Sequence, residues 1–192
     1  MESRKLTGVV LAGGYSTRMG EDKGLITTGG IPWFIRQKNL LLNFCCNVVI
    51  SVRKEQIPQY EKYISVVKLV ADESESSGPA SGILSVHKRF PDSDLFVLSC
   101  DLVKMNEKTL KPVYTAWIEN NNFDFFGFSS EFGIEPLSGI YPVNGLRKLL
   151  SDYDNKKGLV GFIKNSRTLL LTPENDFVFQ NFNTRDSLIE GI

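Results

Sequence analysis

The sequence predicts an α/β domain in three layers, built on a mostly parallel sheet. Short apolar runs alternate with longer segments of helical periodicity over the first 120 residues or so. Two of these runs, at residues 48–50 and 95–98, are apolar without alternation, which is typical of strands covered on both faces. Strands that alternate with helices in this way imply βαβ crossovers and a parallel sheet.

The individual elements follow from these patterns. Strands are predicted at residues 6–11, 47–52, 66–71, 94–99, 123–128 and 167–171. Helices are predicted at residues 31–44, 57–63, 80–90, 106–120, 142–153, 157–164 and 184–189. Segments 76–79 and 133–136 contain glycine and proline and are interpreted as joints. In open sheets of this class the ligand binds at the carboxyl ends of the strands, and we expect the chemistry there.

Composition narrows the class of protein further. A chain of 192 residues suits one domain, and its 22 basic and 22 acidic side chains cancel, which disfavours a general nucleic-acid binder. Three cysteines (Cys45, Cys46 and Cys100) and one histidine (His87) suit neither a disulfide framework nor a zinc cluster. No apolar run is long enough for a signal peptide or a membrane span. We therefore expect a cytoplasmic protein without a membrane partner.

The most informative segment is residues 11–23, which follow the first predicted strand directly. They read Leu-Ala-Gly-Gly-Tyr-Ser-Thr-Arg-Met-Gly-Glu-Asp-Lys. Gly13 and Gly14 allow the backbone to turn tightly and to direct N–H groups at a phosphate. Arg18 and Lys23 add a planar and a compact cation. The spacing matches neither the Walker A motif nor GxGxxG, so we interpret the segment as a different phosphate-binding loop, the alternative being a surface turn.

This opening segment resembles that of the molybdenum cofactor guanylyltransferases, within the wider nucleotidyltransferase group. Further motifs resemble those of the family in the same order, namely Gly78-Pro79-Ala80-Ser81-Gly82-Ile83, Cys100-Asp101, Glu135-Pro136-Leu137 and Asn181-Phe182-Asn183-Thr184. The opening loop specifies the group, and the closing asparagines narrow it to this family. The resemblance implies a Rossmann-like nucleotidyltransferase fold. It also implies one domain over residues 1–192, with a nucleotide-binding half at about 6–101 and an acceptor half at about 102–192.

The activity that the resemblance implies is transfer of GMP from GTP to molybdopterin or its molybdenum-loaded form. Pyrophosphate is released, molybdopterin guanine dinucleotide is formed, and Mg²⁺ is the cofactor. A molybdenum-insertion protein and the target molybdoenzyme apoproteins are the implied protein partners. The alternatives are a CTP-dependent pterin cytidylyltransferase, a sugar- or polyol-phosphate nucleotidyltransferase, and a nucleotide-binding regulatory protein without turnover.

Candidate site residues follow from the residues and the resemblance together. Asp101 comes directly after an apolar strand, where a carboxylate can either hold Mg²⁺ or cap a turn. The resemblance implies that Asp101 is the metal ligand and that it acts with Lys23 and Arg18 in catalysis. The implied nucleotide-binding residues are Leu11, Ala12, Gly13, Gly14, Lys23, Asp72, Gly78 and Asp101. The implied pterin-binding residues are Glu135, Asn181 and Asn183. Two alternatives stay open: Asp72 could belong to a solvated cluster of acidic residues, and the two asparagines could cap the closing helix.

Two positions depart from the family's pattern. Leu102-Val103 stand where a proline usually follows the aspartate, and Val52 stands where relatives can offer an asparagine near the nucleotide. The second departure removes any base or ribose contact expected there. Cys100 and His87 lack a catalytic partner in the sequence, and we expect both to be structural.

Overall fold

The computed structural model of the protein describes residues 4–14, 22–72, 78–153 and 156–180. The strands are β1 (Leu6–Leu11), β2 (Thr27–Thr28), β3 (Ile31–Pro32), β4 (Asn47–Val52), β5 (Leu69–Ala71), β6 (Asp94–Ser99), β7 (Phe125–Ser130), β8 (Gly133–Tyr141) and β9 (Thr168–Leu171). The α-helices are α1 (Trp33–Leu41), α2 (Ile57–Tyr60), α3 (Pro79–Arg89), α4 (Glu107–Glu119), α5 (Val143–Asp152) and α6 (Gly158–Lys164). Among the described residues, no helix is both long and apolar enough to cross a membrane.

The described strands form a seven-stranded sheet in the order β5-β4-β1-β6-β8-β7-β9, beside a separate β2–β3 ribbon. Strands β5, β4, β1 and β6 are parallel, β8 is antiparallel to β6 and β7, and β9 is parallel to β7. The predicted mostly parallel sheet is confirmed. Because β1, β4, β5 and β6 run in the same direction, the loops that follow them meet at one edge.

The two faces of the sheet carry separate hydrophobic cores. Successive residues of β1 point to opposite faces of the sheet. Val10 packs in the core with α1 and α4, whereas Val9 and Leu11 pack in the core with α3, α5 and α6. Strand β6 divides in the same way, which explains why its apolar residues do not alternate with polar ones. Helices therefore cover both faces of the sheet, and the three-layer prediction is confirmed.

The joint predicted at residues 133–136 is wrong, because these residues form the start of the nine-residue strand β8. A two-residue turn at 131–132 joins β7 to β8 as a hairpin. The β7–β8 register shifts between Phe126 and Phe128, opposite the part of β8 that contains Pro136. An irregularity of this kind tolerates a residue that cannot donate to the ladder.

Smaller differences concern the ends of elements. The strand predicted at 66–71 is shortened to β5 because Val66–Lys68 forms a 3₁₀ turn with Val66 and Val67 exposed. Helix α1 begins at Trp33 because Ile31–Pro32 pairs with β2. The helix predicted at 184–189 lies outside the described residues.

A buried carboxylate at the start of β6 joins several elements. Asp94 accepts hydrogen bonds from Arg4 Nε (3.0 Å), Trp117 Nε1 (2.7 Å) and the backbone N–H of Val143 (2.7 Å). The Arg4 guanidinium also stacks over the Trp117 ring, 4.5 Å from its centroid. Asp94 thus ties the N-terminal segment, the last turn of α4 and the first turn of α5 to the central strand.

We expect Asp94→Ala to lower the free energy of unfolding by about 1–3 kcal/mol, because the substitution leaves the Trp117 indole N–H and the Val143 N–H without their acceptor and removes the ion pair of the half-buried Arg4. Urea denaturation measures the change. Asp92→Ala, at an exposed position in the preceding turn, is the matched control and should change stability by less than about 0.5 kcal/mol. Equal stability of the two variants would contradict this role of Asp94.

Candidate active site

A cavity of about 600 Å³ lies at the edge where β1, β4, β5 and β6 end. Its lining includes every residue predicted to bind nucleotide: Leu11, Ala12, Gly13, Gly14, Lys23, Asp72, Gly78 and Asp101. The segments that follow β1, β4, β5 and β6 therefore all contribute residues to one cavity. The placement follows from the parallel strands, whose carboxyl ends share an edge.

The other predicted site residues lie elsewhere. Glu135 is in β8 and does not line this cavity, although Leu137 of the same strand does. Arg18, Asn181 and Asn183 lie outside the described residues. His87 is buried in α3 away from the cavity, and burial lowers its pKa, which agrees with a structural role.

The first part of the glycine-rich loop is held by its carbonyl groups. Arg53 Nη1 donates to Gly13 O at 2.7 Å and to Gly14 O at 2.8 Å, and Gln56 Nε2 donates to Ala12 O at 3.2 Å. A peptide C=O and the N–H of the same peptide unit point in opposite directions. The N–H of Gly14 is therefore directed away from the guanidinium, in the arrangement that an anion-binding loop requires.

The far end of the loop is held by the same segment of chain. Asp22 caps the 3₁₀ turn Lys23–Leu25 through Gly24 N (3.0 Å) and accepts from Gln56 Nε2 (2.5 Å) and Tyr60 OH (2.8 Å). Burial raises the pKa of the Tyr60 hydroxyl far above its ordinary value, so the hydroxyl stays protonated and can donate. A Cβ at Gly24 would lie 2.1 Å from that hydroxyl, which explains why this position is glycine.

Lys23 and Asp101 meet across the cavity. The Lys23 Nζ–Asp101 Oδ2 distance is 3.3 Å, and Ser99 Oγ donates to Asp101 Oδ1 at 2.6 Å. Both charged side chains remain partly accessible, at 23% and 16%. Burial raises the pKa of the adjacent Cys100 thiol well above its ordinary value, so Cys100 is an inert buried residue, as predicted.

Asp72 and Gly78 lie on either side of the connection between β5 and α3, and both line the cavity. The Asp72 carboxylate accepts hydrogen bonds from Ser81 and Ser85 in the first turns of α3. Asp72 is thus tied to the first turns of that helix, and the other residues of the predicted acidic cluster lie outside the described residues. Gly78 has φ +73°, a conformation that L side chains rarely adopt, and it precedes the first turn of α3.

Sequence reasoning missed the contribution of residues 53–56, of which Arg53, Lys54 and Glu55 line the cavity. Val52, the preceding residue, is fully buried in the core and offers no contact to a ligand. A signal was available, because Arg-Lys-Glu-Gln directly follows an apolar strand. The rule that located Asp101 after β6 applies equally to polar residues after β4.

A glycine-rich loop, a cation and a carboxylate at the carboxyl edge of such a sheet are typical of proteins that bind nucleotide phosphates. The chain belongs to the MobA-like NTP transferase domain family, whose model matches residues 8–169, and it is a nucleotidyltransferase. The family predicted from the sequence motifs is confirmed.

Two relatives are each 29% identical to the chain over the aligned residues. One is a molybdenum cofactor biosynthesis bifunctional protein from Synechocystis, matched over 182 residues, or 93% of this chain and 51% of that protein. The chain thus spans about half the length of that relative. The other is a probable molybdenum cofactor guanylyltransferase from Geobacillus, matched over 189 residues and 94% of both chains.

Among solved structures, the chain is similar to molybdopterin-guanine dinucleotide biosynthesis protein A from Archaeoglobus fulgidus. The TM-score is 0.74 over 95% of both chains, at 18% sequence identity. At this identity the likeness bears on the fold alone, and it confirms the predicted nucleotidyltransferase fold.

We expect Gln56→Glu to lower the affinity for nucleotide at least tenfold, because a carboxylate cannot donate to Ala12 O and would be repelled by Asp22. Calorimetric titration with GTP and Mg²⁺ measures the affinity, and circular dichroism checks the fold. Gln59→Glu, at an exposed position of α2, introduces the same charge nearby and should bind as the wild type does. Unchanged affinity in Gln56→Glu would show that the loop does not depend on this amide.

Proposed function

We propose that the protein transfers GMP from GTP to molybdopterin or its molybdenum-loaded form, forming molybdopterin guanine dinucleotide and releasing pyrophosphate. The observation that carries the proposal is the convergence of the glycine-rich loop, Lys23 and Asp101 in one cavity. The names of the Synechocystis and Geobacillus relatives support the choice of pathway, and the second supports guanylyl transfer. The free thiols of Cys45, Cys46 and Cys100 suit a reducing compartment, and we place the reaction in the cytoplasm.

The donor groups around Asp101 suit Mg²⁺. This cation takes oxygen ligands, keeps several waters and usually needs only one or two protein carboxylates beside the substrate phosphates. Asp101 supplies a partly accessible carboxylate, and the neighbouring Cys100 stays protonated and does not compete as a soft ligand. The described residues contain no group of three or more metal-binding side chains that would favour a zinc-type centre. When bound, Mg²⁺ would neutralise phosphate charge and polarise the α-phosphate.

The protein groups act mainly by positioning and by neutralising charge. We assign the N–H groups of the loop and the ammonium of Lys23 to the triphosphate, with Arg18 as a second cation from the same loop. A phosphate oxygen of the acceptor attacks the α-phosphorus, the new P–O bond forms, and the bond to the β-phosphate oxygen breaks with release of pyrophosphate. A phosphate monoester is largely ionised near neutrality, so this reaction needs no strong base. None of the described residues lining the cavity is a histidine.

The acceptor side of the site is assigned to the second half of the chain. Strand β8 is antiparallel to β6 and pairs Ser138 with Leu98, so its earlier residues approach the edge where β6 ends. Glu135 lies there half-buried, its carboxylate accepts from Ser130 Oγ at 2.5 Å, and burial raises its pKa. We propose that Glu135 binds the pterin together with Asn181 and Asn183, whose amides offer both donors and acceptors.

The proposal is tested by measuring pyrophosphate release from each nucleoside triphosphate, with Mg²⁺ and purified molybdopterin. We expect release with GTP only. Consumption of CTP would indicate a cytidylyltransferase, and turnover with a sugar phosphate instead of the pterin would indicate the broader group. Binding of GTP without release of pyrophosphate would indicate a regulatory protein.

We expect Lys23→Ala to lower kcat/KM for guanylyl transfer at least tenfold, because one lost charged contact to the phosphates costs about 2.7–4 kcal/mol in the transition state. Steady-state kinetics with GTP and molybdopterin measure the loss. Lys62→Ala removes an exposed lysine that does not line the cavity and should leave kcat/KM unchanged. Wild-type kinetics in Lys23→Ala would exclude Lys23 from catalysis.

Asp101→Asn should abolish turnover at all Mg²⁺ concentrations, since the amide retains the size of the carboxylate but not the charge that offsets a divalent ion. Binding of GTP without metal should stay within about threefold of wild type, because no phosphate contact is assigned to Asp101 itself. A Mg²⁺ titration of activity measures the loss of turnover, and a calorimetric titration with GTP alone measures binding without metal. An unchanged Mg²⁺ dependence would reduce Asp101 to a structural partner of Ser99 and Lys23.

A further inference from the structure

One cavity carboxylate has no role in the reaction described above. Glu55 lies in the 3₁₀ turn Lys54–Gln56, and its side chain is 63% exposed at the mouth of the cavity. Arg53 Nε donates to Glu55 Oε1 at 2.7 Å. A hydrogen bond from the Glu55 backbone, followed by the bond from Arg53, lowers the pKa of the carboxyl, so it is charged near neutral pH.

Arg53 places this carboxylate beside the glycine-rich loop. The same guanidinium holds Gly13 O and Gly14 O through Nη1 and Glu55 through Nε. The carboxylate and the loop carbonyls are thus separated by the width of one guanidinium group. Glu55 is therefore fixed next to the backbone that we assign to the nucleotide.

The other carboxylates that line the cavity are already engaged. Asp101 contacts Lys23 and Ser99, and Asp72 accepts from two serines of α3. Glu55 Oε1 holds the bond from Arg53, and among the described residues Oε2 has no hydrogen-bond partner. Each carboxylate oxygen can accept two hydrogen bonds, so Oε2 and the remaining acceptor site of Oε1 are both available to a ligand at the mouth of the cavity.

The charge of Glu55 restricts which part of a nucleotide can lie against it. A carboxylate that holds no metal ion repels phosphate, and the phosphates are assigned to the N–H groups of the glycine-rich loop, to Lys23 and to the Mg²⁺ that Asp101 would hold at the end of β6. The nucleoside then extends across β1 to the ends of β4 and β5, where Glu55 lies. Guanine offers adjacent N1–H and N2–H donors, which a carboxylate can accept together. Cytosine and adenine instead present a ring nitrogen acceptor beside their amino group, which a carboxylate repels.

Accordingly, we propose that Glu55, oriented by Arg53, accepts hydrogen bonds from N1–H and N2–H of guanine and selects GTP over CTP. This inference rests on the proposed guanylyl transfer and names the residue that determines its base specificity. It assigns the base a contact just after β4, three residues beyond Val52, which is buried and offers no contact.

The test compares wild type, Glu55→Gln and Glu55→Ala in calorimetric titrations with GTP, ITP, CTP and dGTP in the presence of Mg²⁺. ITP lacks the 2-amino group and dGTP lacks the 2′-hydroxyl, so each removes one candidate contact. We expect wild type to prefer GTP over ITP by about tenfold, the equivalent of one hydrogen bond to a charged group. In Glu55→Ala, GTP affinity should fall at least tenfold, and GTP and ITP should bind within about twofold of each other.

Glu61→Gln is the matched control, because Glu61 is exposed on the same segment but does not line the cavity. It should retain the wild-type preference for GTP over ITP and CTP. Circular dichroism confirms that each variant is folded, and Glu55→Gln serves as the near-isosteric change.

The outcomes separate the inference from the function on which it rests. If wild type uses GTP and Glu55→Ala still prefers GTP over ITP, guanylyl transfer stands and the role of Glu55 is wrong. If Glu55→Ala weakens GTP and CTP equally and removes a preference for GTP over dGTP, Glu55 contacts the ribose and the inference is again wrong. If wild type consumes CTP in preference to GTP, both proposals are wrong.

Discussion

The buried side-chain amide of Gln56 closes the glycine-rich loop, and the candidate site depends on it. Its Nε2 donates to Ala12 O at one end of the loop and to Asp22 at the other, while its Oε1 accepts from Arg53 N at 2.7 Å. A loop that leaves the sheet loses the strand partners of its backbone, and buried carbonyls without partners are costly. Gln56 and Arg53 supply such partners to the carbonyls of residues 12–14, which lie beyond the end of β1.

This arrangement has a direct consequence for the charges of the site. Asp22 is half-buried, accepts hydrogen bonds from uncharged donors and caps the turn that carries Lys23, which directs the ammonium towards Asp101. The cation and the carboxylate then neutralise each other at 3.3 Å in a cavity that remains accessible. On the proposed function, a bound triphosphate with its divalent cation would replace this single ion pair by a larger set of contacts. Such a site acts by binding and positioning its substrates and does not need a covalent intermediate with the protein.

The sequence predicted much of the fold because its strongest signals are local. Strands β1, β4 and β6 each contain a short apolar run without regular alternation, and their limits agree with the prediction. Strand β8 was missed because Gly133 and Pro136 are local turn signals, whereas its pairing with β6 and β7 is a tertiary contact. The exposed Val66 and Val67 were assigned to β5 for the opposite reason, since an apolar residue is no evidence of burial by itself.

What the sequence by itself determined is the family, the sheet and the presence of Lys23 and Asp101 beside a glycine-rich loop, because each of these is written in contiguous residues. Only the tertiary structure decided that Arg53, Glu55 and Gln56 belong to the same site. Gln56 and Ala12 are separated by 44 residues, and Arg53 and Gly13 by 40. The parallel register that pairs Leu11 with Ser51, continued for two more residues, brings Arg53 beside Gly13. No local pattern encodes that register, because it is set by the packing of both faces of the sheet.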